Sequence, residues 1–503
     1  MRKAIYIMSL IAMCAGVLSS CHNKPAMDAA VNADPIIIGD TSAMIDRYLT
    51  KIAQEKGFSG ALLITKDGKK IFSKGYGYAD QANKIPFNSS TLGSMGSITK
   101  AFTAAAIMKL YEQGKLSLTD SLLKFFPEAP ADKRNVTIHQ LLTHSSGFHE
   151  FTEDDGGDYQ KIEKEAYMKK AFAEPLSFEP GTKAIYSNVS MSILGIIIEQ
   201  VSGMDYEQFL KKELFEPAGI WHLGYQYPPD TGVVIAHGYE SGKDWGTHLS
   251  HFKAAGGGPY WNLKANGGLE VSLNDMYLWT KALTDHTILK KSSVDKMFEA
   301  AIVEDGTDGR FYFGYGCNVE KSRRNTKVID NGGSNNIYFA RLLRLPEEGV
   351  IFYMVTNEQS VPTHKVGPNV TQLYFYGKIM QDAMVDQKFE NPKSEKIYDL
   401  LVASGPVNFE ANLKKAGIEI ENDEVLLGAG RALVDDKKTD EAMALYLYYT
   451  KAFPHIVVAQ NDLGDLYRDK GQKEEAIKCY KRALKIRPNN PRATEELKKL
   501  GAS

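Results

Sequence analysis

The sequence predicts an α+β (mixed) domain, an antiparallel sheet flanked by helices with a helical subdomain, followed by an all-α repeat module. Three observations lead there. Strand-like runs stand at both ends of the stretch from Thr41 to Asp386 with helical patterns between them, so the chain leaves a sheet and later rejoins it. Near the C-terminus the pairs Gly430 and Gly464, Ala442 and Ala476, Tyr446 and Tyr480, and Pro454 and Pro488 share an offset of 34 residues. The 503 residues are 43% hydrophobic and 24% charged, the mix of a chain that buries a core. The 60 Lys+Arg against 62 Asp+Glu leave a net charge of −2, so the basic excess that nucleic-acid binding requires is missing.

Taken from the N-terminus, residues 1–20 have the order of an export signal: Arg2 and Lys3, an apolar run from Ala4 to Leu18, then small residues. That run is 15 residues, short of the roughly 18–20 needed to cross a hydrocarbon core. Leu18-Ser19-Ser20-Cys21 resembles the bacterial lipoprotein box, in which the cysteine is lipidated and becomes the mature N-terminus. The resemblance implies an exported protein, lipid-anchored through Cys21 to a bacterial membrane on its periplasmic or cell-surface side. Residues 21–40 contain two prolines and no sustained period, and read as a tether. Cys317 and Cys479 fall in different predicted domains, which argues against a disulfide between them.

In the predicted α+β domain, residues 41–386, Gly60 to Thr65 and Lys70 to Ser73 flank Lys66-Asp67-Gly68-Lys69, a hairpin signal. Ala340 to Arg344 and Val350 to Thr356 form a second strand pair. Helical patterns run through Lys100 to Gln113, Ser190 to Val201 and Leu273 to Thr284. In the module, residues 393–503, Val457 to Asn490 carries Leu463-Gly464, Tyr467, Gly471, Ala476, Tyr480, Ala483 and Pro488. It closely resembles the tetratricopeptide repeat, two antiparallel helices whose small residues permit close packing. A weaker copy precedes it, Ser394 to Leu401 begins a further helix, and Pro491 to Leu500 reads as a capping helix. The resemblance implies either a groove for a protein or peptide partner or a purely structural appendage.

Ser97-Ile98-Thr99-Lys100 opens a helix, and at i and i+3 a hydroxyl and an ammonium share one helical face, where the amine can influence the hydroxyl proton. Ser121 to Lys124, Ser250 to Lys253 and Ser293 to Lys296 repeat the spacing, so context has to choose. It chooses the first copy. Gly96-Ser97-Ile98-Thr99-Lys100-Ala101-Phe102-Thr103 is followed in order by Ile138 to Gly147 (IHQLLTHSSG), by Phe178-Glu179-Pro180-Gly181 leading into Tyr186-Ser187-Asn188, and by Asn266-Gly267-Gly268-Leu269 with Asp275. This succession closely resembles the serine β-lactamase-related family of class C β-lactamases, DD-peptidases and esterases. The resemblance implies the β-lactamase/DD-peptidase-like fold, an acyl-enzyme on Ser97, Lys100 as its proton partner, Tyr186 as general acid/base, and Asn188 bonding substrate and Lys100. Whether tyrosine or lysine takes the first proton stays open.

The family's third motif, a Lys or His, a small residue and a glycine, is matched best by Asp330-Asn331-Gly332-Gly333. The resemblance puts the Gly333 N–H beside that of Ser97 in an oxyanion hole and Asp330, Asn331 and Gly332 at the substrate. A carboxylate in place of the cation would repel a substrate carboxylate. The expectation is therefore a serine hydrolase of esterase, peptidase or amidase type on uncharged or cationic small-molecule or peptide substrates, with weak β-lactamase activity. The alternative is a catalytically silent protein that binds cell-wall or peptide ligands beside the repeats. In the family, the stretch holding His144 is a structural turn, and Tyr260-Trp261-Asn262, which lacks the Pro-Gly lead-in, reads as packing or cleft wall. His237, His248 and His251 are too irregularly spaced for a metal site, and no Gly-rich phosphate loop occurs, so neither metal nor organic cofactor is expected.

Overall fold

A computed structural model describes residues 35–502 except 153–155, 226–231, 241, 306, 308–310, 323, 360, 380–391, 421–422 and 487–489. The export signal, Cys21 and most of the tether lie outside the described residues. The described fold begins earlier than the sequence suggests. Ile36–Ile37 already pairs with Ser73 and Phe72 as a strand, and Gly39–Lys56 is a helix that buries Ile45 and Leu49 one turn apart. The expected boundary at residue 40 thus moves to about Ile36, because the apolar Ile36-Ile37 pair finds a strand to complete.

Among the described residues the main sheet has nine antiparallel strands, in the spatial order Ile36–Ile37, Lys69–Tyr76, Gly60–Lys66, Val350–Thr356, Phe339–Leu345, Lys327–Ser334, Asn318–Lys321, Phe311–Phe313 and Ile302–Val303. The first hairpin turns at Asp67 and Gly68, both with positive φ, the conformation that a two-residue turn between twisted strands requires. Gly60–Lys66 pairs along its whole length with Val350–Thr356, so the strands from the two ends of the domain meet at the sheet's centre.

One face of the sheet packs on helices Gly39–Lys56 and Val361–Tyr376. The other face carries the main core, built around helix Thr99–Glu112. That helix buries every residue from Thr99 to Met108, as a helix packed on all sides within a core does. Phe102 stacks on Trp279 at 4.1 Å, inside helix Leu273–Thr284, whose N-cap Ser272 accepts from Asp275 N.

Seven helices form the described C-terminal module, from Pro392–Ser404 to Pro491–Lys499. Its repeat has a steric cause. A Cβ on Gly430 would lie 2.7 Å from the Tyr446 ring, and one on Gly464 2.7 Å from the Tyr480 ring. Each glycine thus makes room for the tyrosine of the next helix, and the two copies do so in the same way.

Candidate active site

Ser97 sits in the tight turn Gly96–Ile98 that leads into the buried helix. Lys100, one turn on, donates from Nζ to Ser97 Oγ at 2.9 Å and to the Asn266 carbonyl at 2.6 Å. Tyr186 donates its phenolic proton to the same Ser97 oxygen at 2.7 Å. The Lys100 ammonium also lies 4.7 Å from the centre of the Tyr186 ring. Ser97, Lys100 and Tyr186, which the sequence reading grouped, therefore meet at one oxygen. The other three Ser-x-x-Lys copies are not at this place.

Tyr186 is held from behind by His144. The ring centroids are 5.0 Å apart, and the Ser187 N–H donates to His144 Nδ1 at 3.1 Å, which leaves the ring proton on Nε2. Complete burial, and then the neighbouring Lys100 charge, push this histidine down to about 3, so it stands neutral beside the ammonium. The turn that the sequence marked as structural is thus a support for the tyrosine. Its signal was present in the Thr-His-Ser-Ser-Gly run, but nothing in the spacing connects residue 144 with residue 186.

Asn188 opens helix Asn188–Ser202, where the Ser187 side chain caps the Ser190 N–H. Its side chain is buried, and its Oδ1 has no hydrogen-bond partner among the described residues. The expected bond from Lys100 to Asn188 is therefore not made. The Asn266 carbonyl takes that proton, a role the sequence did not assign. Asn266 is fixed in turn by its side-chain amide, which donates to Ser192 Oγ and to the Asn262 carbonyl, each at 2.8 Å. The Leu269 N–H donates to Thr99 Oγ1 at 3.1 Å, so the Asn-Gly-Gly-Leu run is tied to the first turn of the nucleophile helix. Asn262, expected in packing or in the cleft wall, is buried and donates to the Gly157 carbonyl at 3.1 Å.

Strand Lys327–Ser334 supplies the other side of the site. A Cβ on Gly333 would lie 2.0 Å from the Met95 oxygen and 2.9 Å from Ser97 N, which explains the glycine. Two expectations about this strand need correction. The first concerns Asp330. Side chains alternate along a strand, and Gly333 faces Ser97, so Asn331 shares that face while Asp330 and Gly332 take the opposite one. Asn331 is buried and donates to the Gly316 carbonyl at 2.6 Å. Asp330 instead receives both a 3.2 Å bond from Arg341 Nε and a 2.7 Å bond from Arg341 Nη2. Beside it, burial and then the Asp330 charge push Glu320 up to about 7. No carboxylate on this strand therefore faces the substrate, and the residue in the cation's place is the neutral Asn331.

The second correction concerns the oxyanion donor. Asn335 donates its N–H to the Tyr338 carbonyl at 3.4 Å, and in the same register Gly333 opposes Ala340. Hydrogen-bonded pairs recur at every second residue of an antiparallel ladder. The Gly333 N–H therefore turns toward strand Phe339–Leu345, and the Ser334 N–H turns toward the nucleophile. A Cβ placed on Gly96 would come within 2.6 Å of Ser334 N. The Ser97 and Ser334 amides, not those of Ser97 and Gly333, are the pair placed to receive an oxyanion.

Comparisons with known proteins agree with this architecture. A β-lactamase family model matches residues 45–373, and a TPR repeat model matches residues 464–497. A putative penicillin-binding protein PbpX of Bacillus subtilis is 31% identical over 261 residues, 52% of this chain and 62% of the relative. Protein flp of Staphylococcus aureus is 30% identical over 210 residues, 41% of this chain and 42% of that protein. The chain thus spans less than two thirds of the length of these relatives. An octameric penicillin-binding protein homologue from Pyrococcus abyssi superposes with a TM-score of 0.57 at 27% identity, covering 71% of this chain and 81% of that one. A penicillin-binding protein from Bacillus halodurans gives 0.56 at 25% identity, covering 65% of this chain and 99% of that one. With the family model spanning well over half of its residues and its serine, lysine and tyrosine converging on one oxygen, this chain belongs to the β-lactamase family.

Proposed function

We propose that the protein hydrolyses esters or amides through an acyl-enzyme on Ser97. The observation that carries this reading is the double contact on Ser97 Oγ, from Lys100 Nζ at 2.9 Å and from Tyr186 OH at 2.7 Å. One of the two must first stand unprotonated, Lys100 as the free amine or Tyr186 as a phenolate favoured by the neighbouring ammonium, and its contact with Oγ then runs the other way, so that it accepts from the serine hydroxyl. As Oγ attacks the carbonyl carbon, that proton moves to the tyrosine or lysine side, and the carbonyl electrons shift to an oxygen received by the Ser97 and Ser334 N–H groups. Collapse expels the leaving group, which takes the proton back. Water then repeats the sequence on the acyl-enzyme and frees Ser97.

The neutral Asn331 offers no charge attraction for a carboxylate near the scissile bond. Esters and amides without that carboxylate are therefore the favoured substrates and β-lactams poor ones, for want of attraction rather than through repulsion by Asp330. Labelling by a fluorophosphonate probe is expected on the wild type and absent in Ser97→Ala; equal labelling of both proteins would refute the assignment. Asn331→Lys is expected to raise the rate of labelling by fluorescent penicillin, on the order of tenfold for one gained charge contact. Lipid attachment at Cys21, with export, belongs to the same reading. Incorporation of an alkynyl fatty acid in the producing cell that survives Cys21→Ala would sink it.

A further inference from the structure

Three described contacts join the repeat module to the catalytic domain, and each is made by a segment that leads to a residue of the candidate site. His455, in the turn between helices Thr439–Ala452 and Val457–Asp469, meets Phe151 with ring centroids 5.9 Å apart. Phe151 follows Glu150, whose carbonyl accepts the Asn188 N–H. Glu419 pairs with Lys183 at 3.7 Å, three residues before Tyr186. These two contacts stand on the tyrosine side of the cleft. Glu495, on the last helix, pairs with Lys243. Lys243 lies in the hairpin Gly238–Gly246, and the next helix carries His248, whose Nε2 meets the Asn335 amide at 3.2 Å, next to Ser334. This third contact stands on the oxyanion side. The module is thus tied both to segments that lead to Tyr186 and Asn188 and to the one that leads to Ser334.

Among the described residues no apolar cluster spans the two domains. The apolar clusters of the module draw only on residues from Ile397 onward, and none is shared with the clusters of the catalytic domain. The side chains of Lys183 and Glu419 are 42% and 78% exposed, and such surface ion pairs are weak and weakened further by salt.

We infer that the repeat module is the outer wall of the catalytic cleft, a cover held by ion pairs that sets the size of acyl substrate reaching Ser97. Small esters enter under it. Larger ones wait for it to lift, and added salt or a partner that takes the repeat surface lifts it. The selecting role rests on the hydrolase reading above, whereas the docking does not.

Two readouts keep the parts distinct. A zero-length carbodiimide, which couples only touching amine and carboxylate pairs, is expected to join Lys183 to Glu419 and Lys243 to Glu495 in the full chain at low salt, with loss of both products at high salt. The rate of Ser97 labelling is then compared for a small fluorophosphonate and for one carrying a bulky dye. Glu419→Lys with Glu495→Lys is expected to raise the bulky rate about fivefold and the small rate less than about twofold, as two weak pairs predict. Adding Lys243→Glu should restore part of the exclusion by reversing one pair. Absence of both cross-links, or an unchanged ratio of bulky to small labelling, would overturn the inference. Cross-links without any Ser97 labelling would instead refute the hydrolase reading and, with it, the selecting role.

Discussion

Both domains depend on glycines at close approaches, and they use them differently. In the repeat module Gly430 and Gly464 face tyrosine rings, which can turn or shift when crowded. In the catalytic domain Gly333 faces the Met95 carbonyl and Gly96 faces Ser334 N, main-chain atoms that cannot yield without moving the turn that carries Ser97. The first kind of contact sets packing. The second sets where two N–H groups sit relative to a nucleophile, so an error of an ångström there costs chemistry before it costs stability.

The largest effect that tests this contrast is Gly333→Ala. It is expected to lower kcat/KM for a small ester by about a hundredfold or more through displacement of the oxyanion donors, as measured by steady-state kinetics. A loss of less than tenfold would show that the approach tolerates bulk.

Acid provides the next contrast. His144 and His248 are pushed down to about 3 by burial, with the Lys100 charge adding at His144 and the His251 charge at His248. Both lie in the catalytic domain, whereas the module has only His455. A group whose pKa is lower folded than unfolded leaves the unfolded chain binding the extra proton. Stability therefore falls as pH drops from about 6.5 toward 3, by about 1.4 kcal/mol per unit for each such histidine. The catalytic domain should become the acid-labile part, and His248→Gln should remove about 2 kcal/mol of the change between pH 7 and 5 in urea titrations. Identical acid sensitivity in the variant would contradict the assignment.

Gly464→Ala should destabilise the module by about 1–3 kcal/mol through overpacking against Tyr480, read as an earlier denaturation phase, with small-ester turnover unchanged. The smallest effect is expected from Asp330→Asn. It removes a charge from the far face of the sheet and should alter turnover less than about twofold, since Arg341 shields that face from the site.

Much of this was legible in the sequence where a signal is local. The Asp67-Gly68 hairpin, the Leu273–Thr284 helix and the 34-residue offset each depend on neighbours a few residues apart. Ser97, Lys100 and Tyr186 were legible because they stand in ordered motifs. What escaped is set by pairing. The side of the strand on which Asp330 falls, and whether Gly333 or Ser334 presents its N–H, follow from ladder parity, which a neighbouring strand fixes and the strand's own residues do not. The Asn266 carbonyl was hidden for a further reason: a main-chain acceptor carries no signature of its own. Helix Gly39–Lys56 was passed over because its apolar residues are spread among many polar ones, and only the pairing of Ile36–Ile37 shows that the fold has already begun.

The hydrogen bond from Lys100 to the Asn266 carbonyl also bears on how the protein comes to be folded. The two residues are 166 apart in sequence, and Ser334 lies further on again. Contacts so remote form after long loops have closed, late in the assembly of a chain of this kind. A nascent chain stopped before residue 334 would carry Ser97, Lys100, Tyr186 and Asn266 but lack the Ser334 N–H and the strands Phe339–Leu345 and Val350–Thr356 that complete the sheet. Reaction with an acylating probe would then mark the moment at which the two ends of the sheet come together, so that Ser97 doubles as a clock for its own domain's completion.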